Sequence, residues 1–403
     1  MKTVNDISFN AKRALVRVDF NVPLDKTFNV TDDTRIKATI PTLKKILNDG
    51  GSLVLMSHLG RPLKKLNDDG TVNIAKHSLK NILASLSSLL GKEVKFAADC
   101  VSDEAFRMSS SLKAGEVILL ENLRFYKEEE KGDASFAQKL SYHGDIYVND
   151  AFGTAHRAHA STAVVADYFS PENKVFGLLM AAEVANAERV YNHFESPFTA
   201  IIGGAKVSDK ILIIENLLEK ANNILIGGGM SYTFLKALGH NIGKSLCEDD
   251  KLEVAKDVME KAKQKKVNFY LPIDHIVADS FSNDAVFSTI LIDEEIGDRM
   301  GLDIGVKTIE LYKDVLSNSK TILWNGPMGV FEMTSYQQGT VSVANAVAES
   351  TKNGTFSLVG GGDSVAAVNQ FGLQDSVSFV STGGGALLEF FEGKTLPGVK
   401  AIL

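Results

Sequence analysis

The sequence predicts an α/β protein of two lobes, each a parallel sheet covered on both faces by helices, with a hinge helix between them. Three observations predict it. Short continuous apolar runs alternate with helix-like stretches along the whole chain. The length, 403 residues, favours more than one core. The halves are also punctuated differently, with arginines concentrated in the first and glycine clusters in the second.

In the first half, ALVRVDF (14–20), SLVLMSH (52–58), VKFAA (94–98), EVILLENLRF (116–125) and DIYVNDAF (145–152) read as strands. Residues 73–90 and 134–143 read as helices, and 31–34 as a helix N-cap that leaves Arg35 in the first turn. A join is expected near 171–197, where Pro171 and Asn173 punctuate, a helix AAEVANAERVYNHF follows, and Ser196-Pro197 precedes the next strand. In the second half, FTAIIGG, NNILIGGG, VNFYLPI, TILWNGP, TFSLVGGGD and SFVSTGGG read as strands running into turns. Two sheets account for the length. The single Trp324 reads as core or turn packing, and the charge run YKEEEKGD (126–133) as solvated surface.

Composition removes several classes. A chain that is 44% hydrophobic and 23% charged, with only 8 Pro, is neither disordered, collagen-like nor coiled-coil. The net charge of −7 gives no global basic field, so nucleic acid and anionic membrane are not expected partners. Cys100 and Cys247 are far apart and form no CxxC pair, which argues against a disulfide framework or a Cys-based zinc site and fits a reducing cytosol. The first residues lack the apolar core of a signal peptide, and the longest apolar run, 175–182, stops at Glu183. A soluble, cytoplasmic protein is expected.

Three times in the second half an apolar strand runs into Gly-Gly-Gly and then a helix: at 227–229, 360–362 and 383–385. A fourth instance has Gly203-Gly204 followed by Lys206 and Lys210. Glycines at a strand's carboxyl end let backbone approach a ligand, and the next helix offers free N–H groups to an anion. For any one instance, a tight strand-to-helix turn is the alternative. Four in one half, with lysines after the fourth, favour a phosphorylated ligand. No GxxxxGK[ST] and no GxGxxG after a strand is present, so neither a P-loop nor a dinucleotide site is supported.

Eight of the nine arginines lie at or before Arg189. Arg61, Arg124 and Arg157 each follow, or nearly follow, the carboxyl end of an expected strand. In a parallel sheet those ends line one edge, so the three should converge, with Arg35 nearby. Arg35 itself opposes the dipole of its helix, a small cost that a bound anion would remove. Singly, each arginine reads as a surface residue paired with a carboxylate. Together they imply a small polyanionic ligand. His156 and His159 are spaced i, i+3, but without HExxH or a carboxylate at ligand spacing no zinc site is expected.

At these residues the chain resembles the phosphoglycerate kinases over nearly its whole length. The matching stretches are RVDFNVP (17–23), TRI (34–36), SHLGRP (57–62), ENLRFY (121–126), NDAFGTAHRAHAST (149–162), GGAKVSDKI (203–211), GGGMSYTF (227–234), WNGPMGVFE (324–332), VGGGDS (359–364) and TGGGA (382–386). The resemblance implies two Rossmann-like domains: 1–170 with the returning tail 388–403, a linker helix in 171–195, and a nucleotide domain in 196–387. It implies reversible phosphoryl transfer between 1,3-bisphosphoglycerate and ADP, giving 3-phosphoglycerate and ATP, with Mg²⁺ and as a monomer. By resemblance, Asp19 and Asn21 meet the glycerate end, while Arg35, His58, Arg61, Arg124 and Arg157 hold its phosphate and carboxylate. Gly203, Gly204, Gly227 and Gly228 resemble the nucleotide-pocket glycines, Asn325 and Pro327 its loop, and Glu332 the residue on the ribose hydroxyls. Lys206 and Lys210 resemble the phosphate lysines. Gly361, Gly362, Asp363 and Ser364 resemble the phosphate turn, with Asp363 on Mg²⁺, and Gly384 and Gly385 the helix start facing the transferred group. The resemblance assigns catalysis to Arg35, Lys206, Gly384 and Gly385. Val306, Leu387 and QQGT (337–340) depart from the expected pattern, none at a matched catalytic position.

The residues agree with that chemistry. Phosphoryl transfer spreads charge over three equatorial oxygens, and its catalysis is positioning plus electrostatics. Each half would hold one substrate, so the halves are expected to close for transfer. The alternative from a different class is a non-catalytic two-lobed anion-binding protein, which would not need Lys206, Asp363 and four glycine turns on its second lobe.

Overall fold

The computed structural model describes residues 1–403. The chain divides into two units, Met1–Ala185 with Thr395–Leu403, and Asn186–Lys394. The helix Leu178–Asn192 carries the chain from one into the other.

The first unit is built on β1 (Arg13–Val18), β2 (Ser52–Met56), β3 (Val94–Ala97), β4 (Val117–Leu120), β5 (Ile146–Asp150) and β6 (Lys174–Phe176), in the order β3-β4-β2-β1-β5-β6. Every pairing is parallel. β2, β4 and β5 are buried along their whole lengths, as expected of strands covered on both faces. The helix Thr34–Asn48 lays Ile36, Leu43 and Ile46 onto this core beside Val16, Leu53 and Leu55.

The second unit begins with β7 (Phe198–Ile202), β8 (Asn223–Ile226) and β9 (Asn268–Tyr270). Next come β10 (Asp274–Ala278), β11 (Phe287–Leu291) and β12 (Met300–Ile304), then β13 (Thr321–Asn325), β14 (Phe356–Val359) and β15 (Phe379–Val380). A six-stranded parallel sheet has the order β15-β14-β13-β7-β8-β9. Trp324 is fully buried on β13, and its indole N–H donates to the Gly326 carbonyl at 2.8 Å.

Four expectations change. The sequence accounts for two sheets, whereas β10, β11 and β12 form a third, antiparallel one with β10 in the middle. The stretch 171–177 belongs to the first sheet through β6, which pairs with Tyr147, Val148 and Asn149, so it is not linker. Residues 388–394 stay with the second unit, because the helix Gly385–Phe391 packs against the helix Ile211–Leu217 and its Phe390 and Phe391 meet Tyr191 edge-on. The run 126–133 is not solvated throughout. It contains a short helix, Lys127–Lys131, whose Glu129 is completely buried.

Candidate active site

In parallel sheets the loops after the strands share one edge, and both clusters are built there. In the first unit, β1 runs into Asp19 and Asn21, β2 into His58 and Arg61, and β5 into the loop that carries Arg157. Strand β4 ends at Leu120, so Arg124 stands on a following 3-10 turn, Leu123–Phe125, rather than on the strand as the sequence suggests. Asn122 pins that turn by donating to the carbonyls of Leu59 and His77, both at 2.8 Å, while its side-chain oxygen accepts from Arg124 N–H at 3.0 Å.

The polar side chains of this edge interlock. Arg35 Nη1 donates to Asp19 Oδ2 at 2.7 Å. Arg124 Nη1 donates to the Gly60 carbonyl at 2.9 Å, and Gly60 N–H donates to Asn21 Oδ1 at 2.8 Å, which fixes the loop bearing exposed Arg61. Gly60 has φ +64°, and a Cβ there would lie 2.6 Å from His77 Nδ1. Burial and the neighbouring Arg17 and Arg157 lower the Arg124 pKa to about 10, with Glu130 opposing. Burial and then Arg124, Arg17 and Arg157 push His159 down to about 3. His58 is held well below 6.5 by burial and by Arg17, Arg124 and Arg35. His58 is therefore neutral. Arg35, Arg124 and Arg157 of the expected set act on these two histidines together with Arg17, which the strand-end argument did not name, whereas Arg61 stands exposed on its loop.

Sequence reasoning passed over the buried support of this cluster. Arg17 is fully buried on β1, donating from Nε to Ser161 Oγ at 2.8 Å, from Nη1 to the Val18 carbonyl and from Nη2 to His58 Nδ1 at 3.2 Å. Ser161 in turn donates to Glu129 from Oγ at 2.5 Å and from its backbone N–H at 3.0 Å. One signal was available: an arginine between valines in a strand read as buried must have a buried counter-charge.

In the second unit the site is backbone. Gly203 N–H donates to the Asn325 carbonyl at 2.9 Å, and Gly228 N–H donates to the Met328 carbonyl at 2.9 Å. These bonds draw the loops after β7, β8 and β13 together. The approach is so close that a Cβ on Gly203 would stand 2.1 Å from the Pro327 carbonyl oxygen, and one on Gly326, at φ +103°, 2.1 Å from that of Gly203. Asn325 is the hub: its Oδ1 accepts from Lys210 Nζ at 2.5 Å and its Nδ2 donates to the Gly360 carbonyl at 2.7 Å. Ser364 Oγ accepts from Gly326 N–H at 2.5 Å, tying the turn after β14 to the turn after β13.

A cleft of about 710 Å³ opens beside this backbone, lined by Gly204, Gly228, Pro327, Glu332 and Asp363 among others. Burial lowers the Lys210 pKa, opposed by Asp209, Asp363 and Glu392, so Lys210 and Asp363 lie within electrostatic reach of each other. Lys206, Glu332, Gly362 and Asp363 are exposed. Gly361 and Gly362 open the helix Gly362–Gln370, with Asp363 in its first turn. Gly384 caps the short helix after β15 at φ 49°, and Gly385 is its first residue. Gly227 N–H donates to the Ile202 carbonyl at 3.0 Å.

A sheet edge crowded with arginines and a second crowded with bare backbone suit two anionic ligands. The chain as a whole is matched elsewhere. The family model described as phosphoglycerate kinase matches residues 4–394. A phosphoglycerate kinase of Porphyromonas gingivalis is 54% identical, with 99% of both chains covered. One of Chloroherpeton thalassium is 52% identical, covering 100% of this chain and 98% of its own. Among solved structures, the phosphoglycerate kinase of Coxiella burnetii superposes with a TM-score of 0.88 at 40% identity, over 99% of this chain and 98% of that one. That of Pyrococcus horikoshii superposes with a TM-score of 0.81 at 32% identity, over 100% and 98%.

Proposed function

Because the chain belongs to the phosphoglycerate kinase family, we propose that its first unit receives the glycerate substrate and its second unit the nucleotide. The reaction is phosphoryl transfer between 1,3-bisphosphoglycerate and ADP, giving 3-phosphoglycerate and ATP, and the non-catalytic alternative is not favoured. The observation that carries the division is the chemistry of the two edges: cationic side chains on one, Cβ-free backbone and lysine on the other.

In the direction of acyl phosphate synthesis the nucleophile is a carboxylate, ionised at neutral pH, so no general base is required. The work is charge stabilisation and positioning. Asp19 and Asn21 engage the glycerate end, and His58, Arg61, Arg124 and Arg157 its phosphate and carboxylate. Arg35 carries a fork that can follow charge onto the transferred group. Gly203, Gly204, Gly227, Gly228, Asn325 and Pro327 form the nucleotide bed, and exposed Glu332 accepts from the ribose hydroxyls. Lys210 and the turn Gly361, Gly362, Asp363 and Ser364 take the nucleotide phosphates. Lys206, Gly384 and Gly385 face the group in transit.

Asp363 suits Mg²⁺. Magnesium usually takes one or two carboxylates together with substrate phosphates and waters, so a single exposed carboxylate beside a phosphate turn is an adequate protein share. Asp363 would hold the ion, which when bound neutralises phosphate charge. We further propose a monomer, since each cluster is complete within one chain, and a cytoplasmic location, which two free cysteines support. No helix is long and apolar enough to cross a membrane.

The test is an assay of ATP consumption that depends on 3-phosphoglycerate, with calorimetry of each ligand on variants of each cluster. Equal loss of both ligands from a variant of either cluster would contradict the division.

A further inference from the structure

Glu129 is a carboxylate beneath the first unit's edge that no ligand can reach. It is fully buried on the helix Lys127–Lys131, and both its oxygens are taken by Ser161. Burial raises its pKa, and Arg17 is the largest opposing influence. A carboxylate so enclosed is retained at a desolvation cost, which asks what it holds in place.

We propose that Glu129 and Ser161 are positioning residues that orient Arg17 so that it fixes His58 in the tautomer donating from Nε2. The inference rests on the reading of this cluster as the glycerate site.

The direction of every bond follows from the donor inventory. The Ser161 hydroxyl gives its only proton to Glu129 Oε1 at 2.5 Å, so toward Arg17 Nε, 2.8 Å away, it can only accept. Arg17 is thereby held at Nε by Ser161 and at Nη1 by its neighbour's carbonyl, which sets the plane of a rigid guanidinium. Its Nη2 then lies 3.2 Å from His58 Nδ1. Guanidinium has no acceptor, so Nδ1 must accept, and a neutral imidazole that accepts at Nδ1 carries its proton on Nε2. The charged and titratable groups around this ring are Arg17 from β1, Asp19 beyond its end, Arg35 from the helix Thr34–Asn48, Arg124 from the 3-10 turn, and His159. Asp19 Oδ1 stands 3.9 Å from Nδ1, beyond hydrogen-bond reach, and does not compete with Arg17. An Nε2–H donor suits an oxyanion ligand, whereas the other tautomer would present a lone pair to it.

The test is nitrogen-resolved NMR of the His58 ring in the full chain, assigned by the signals lost in His58→Gln. Wild type, Ser161→Ala and Glu129→Gln are compared, with steady-state kinetics on each. In wild type, Nδ1 is expected to be unprotonated and Nε2 protonated. In both variants the two nitrogens should average between tautomers. KM for 3-phosphoglycerate should rise about tenfold, the worth of one oriented hydrogen bond, with KM for ATP nearly unchanged. A wild-type ring protonated at Nδ1 overturns the proposal. So do variants that melt earlier yet keep the wild-type ring signals and KM, since Glu129 would then be structural only. If 3-phosphoglycerate leaves the wild-type His58 signals unmoved, the glycerate-site reading itself fails and takes the proposal with it.

Discussion

Arg35 and Asp19 are joined at 2.7 Å, and the aspartate side chain is the sheltered partner, 10% exposed against 38% for the arginine. The pair therefore ties one edge of the guanidinium and leaves the rest of the fork open. Arg35→Lys keeps the charge and loses the fork. Its kcat should fall on the order of 10²-fold, as when other electrostatic donors to a transition state are removed. Steady-state kinetics with both substrates decide it, and an unchanged kcat with a raised KM would make Arg35 a binding residue only.

Gly203→Ala should harm nucleotide binding and spare the glycerate site. The new methyl would meet the carbonyl oxygens of Pro327 at 2.1 Å and Gly326 at 2.7 Å, and neither is a side chain that can rotate away. Overpacking of this kind costs about 1–3 kcal/mol, and here the loops must part to accept it. Calorimetry should show weaker ATP binding and unaltered 3-phosphoglycerate binding. Equal affinity for ATP would show that the closeness of these loops is not needed.

Asp363→Asn should weaken ATP binding in the presence of Mg²⁺ and leave 3-phosphoglycerate binding intact, because amide oxygen is the poorer ligand for a hard cation. Removing the metal supplies the control. With a chelator present, wild type and variant should bind ATP alike. A difference that persists without Mg²⁺ would assign Asp363 a role other than holding the ion.

Asp303 gives a prediction in pH. It lies on β12, almost fully buried, accepting from the N–H groups of Gly339 at 2.7 Å and Ile304 at 2.9 Å. Burial raises its pKa from 3.8 to about 7, and the two hydrogen bonds only partly oppose this. Because the folded carboxyl has the higher pKa, its contribution to stability is complete below 3.8 and is lost as pH rises to about 7. At about 1.4 kcal/mol per unit, the loss is on the order of 4 kcal/mol across that window. Asp303→Asn has no such proton to lose. The difference in urea stability between wild type and variant should therefore change with pH across the window. A flat difference would place the Asp303 pKa in the ordinary range.

What could be read in the sequence was whatever strand neighbours determine locally. β13 and β14 are apolar runs closed by Asn325-Gly326-Pro327 and by Gly360 to Gly362, and the strand-to-turn pattern marked both. Arg61, Arg124 and Arg157 were placed by the same logic, since parallel strands send their ends to one edge. What stayed hidden depends on distant partners. In KEEEK nothing distinguishes Glu129 from Glu128, and only Ser161, 32 residues away, decides which one is buried. The antiparallel sheet was missed for a related reason. β11 is exposed at four of its five positions, so FSTIL shows no buried run, and its pairing with β10 is fixed only in the assembled unit. Arg124 was placed one element early because Leu123 and Phe125 resume the apolar run after Glu121 and Asn122, although the ladder ends at Leu120.

The tail Thr395–Leu403 belongs to the first unit, and Asn149, at the foot of the Arg157 loop, donates to the Gly398 carbonyl at 3.2 Å while Gly398 N–H donates to that of Ala155 at 2.8 Å. On the ribosome this sets an order of assembly. All of Asn186–Lys394 is synthesised as one uninterrupted stretch, so the second unit has every residue it needs while the first still lacks its last piece. The half made first is thus the half finished last, and a chain released a few residues early would carry a complete second unit and an Arg157 loop with no partner for Asn149 Nδ2 at Gly398.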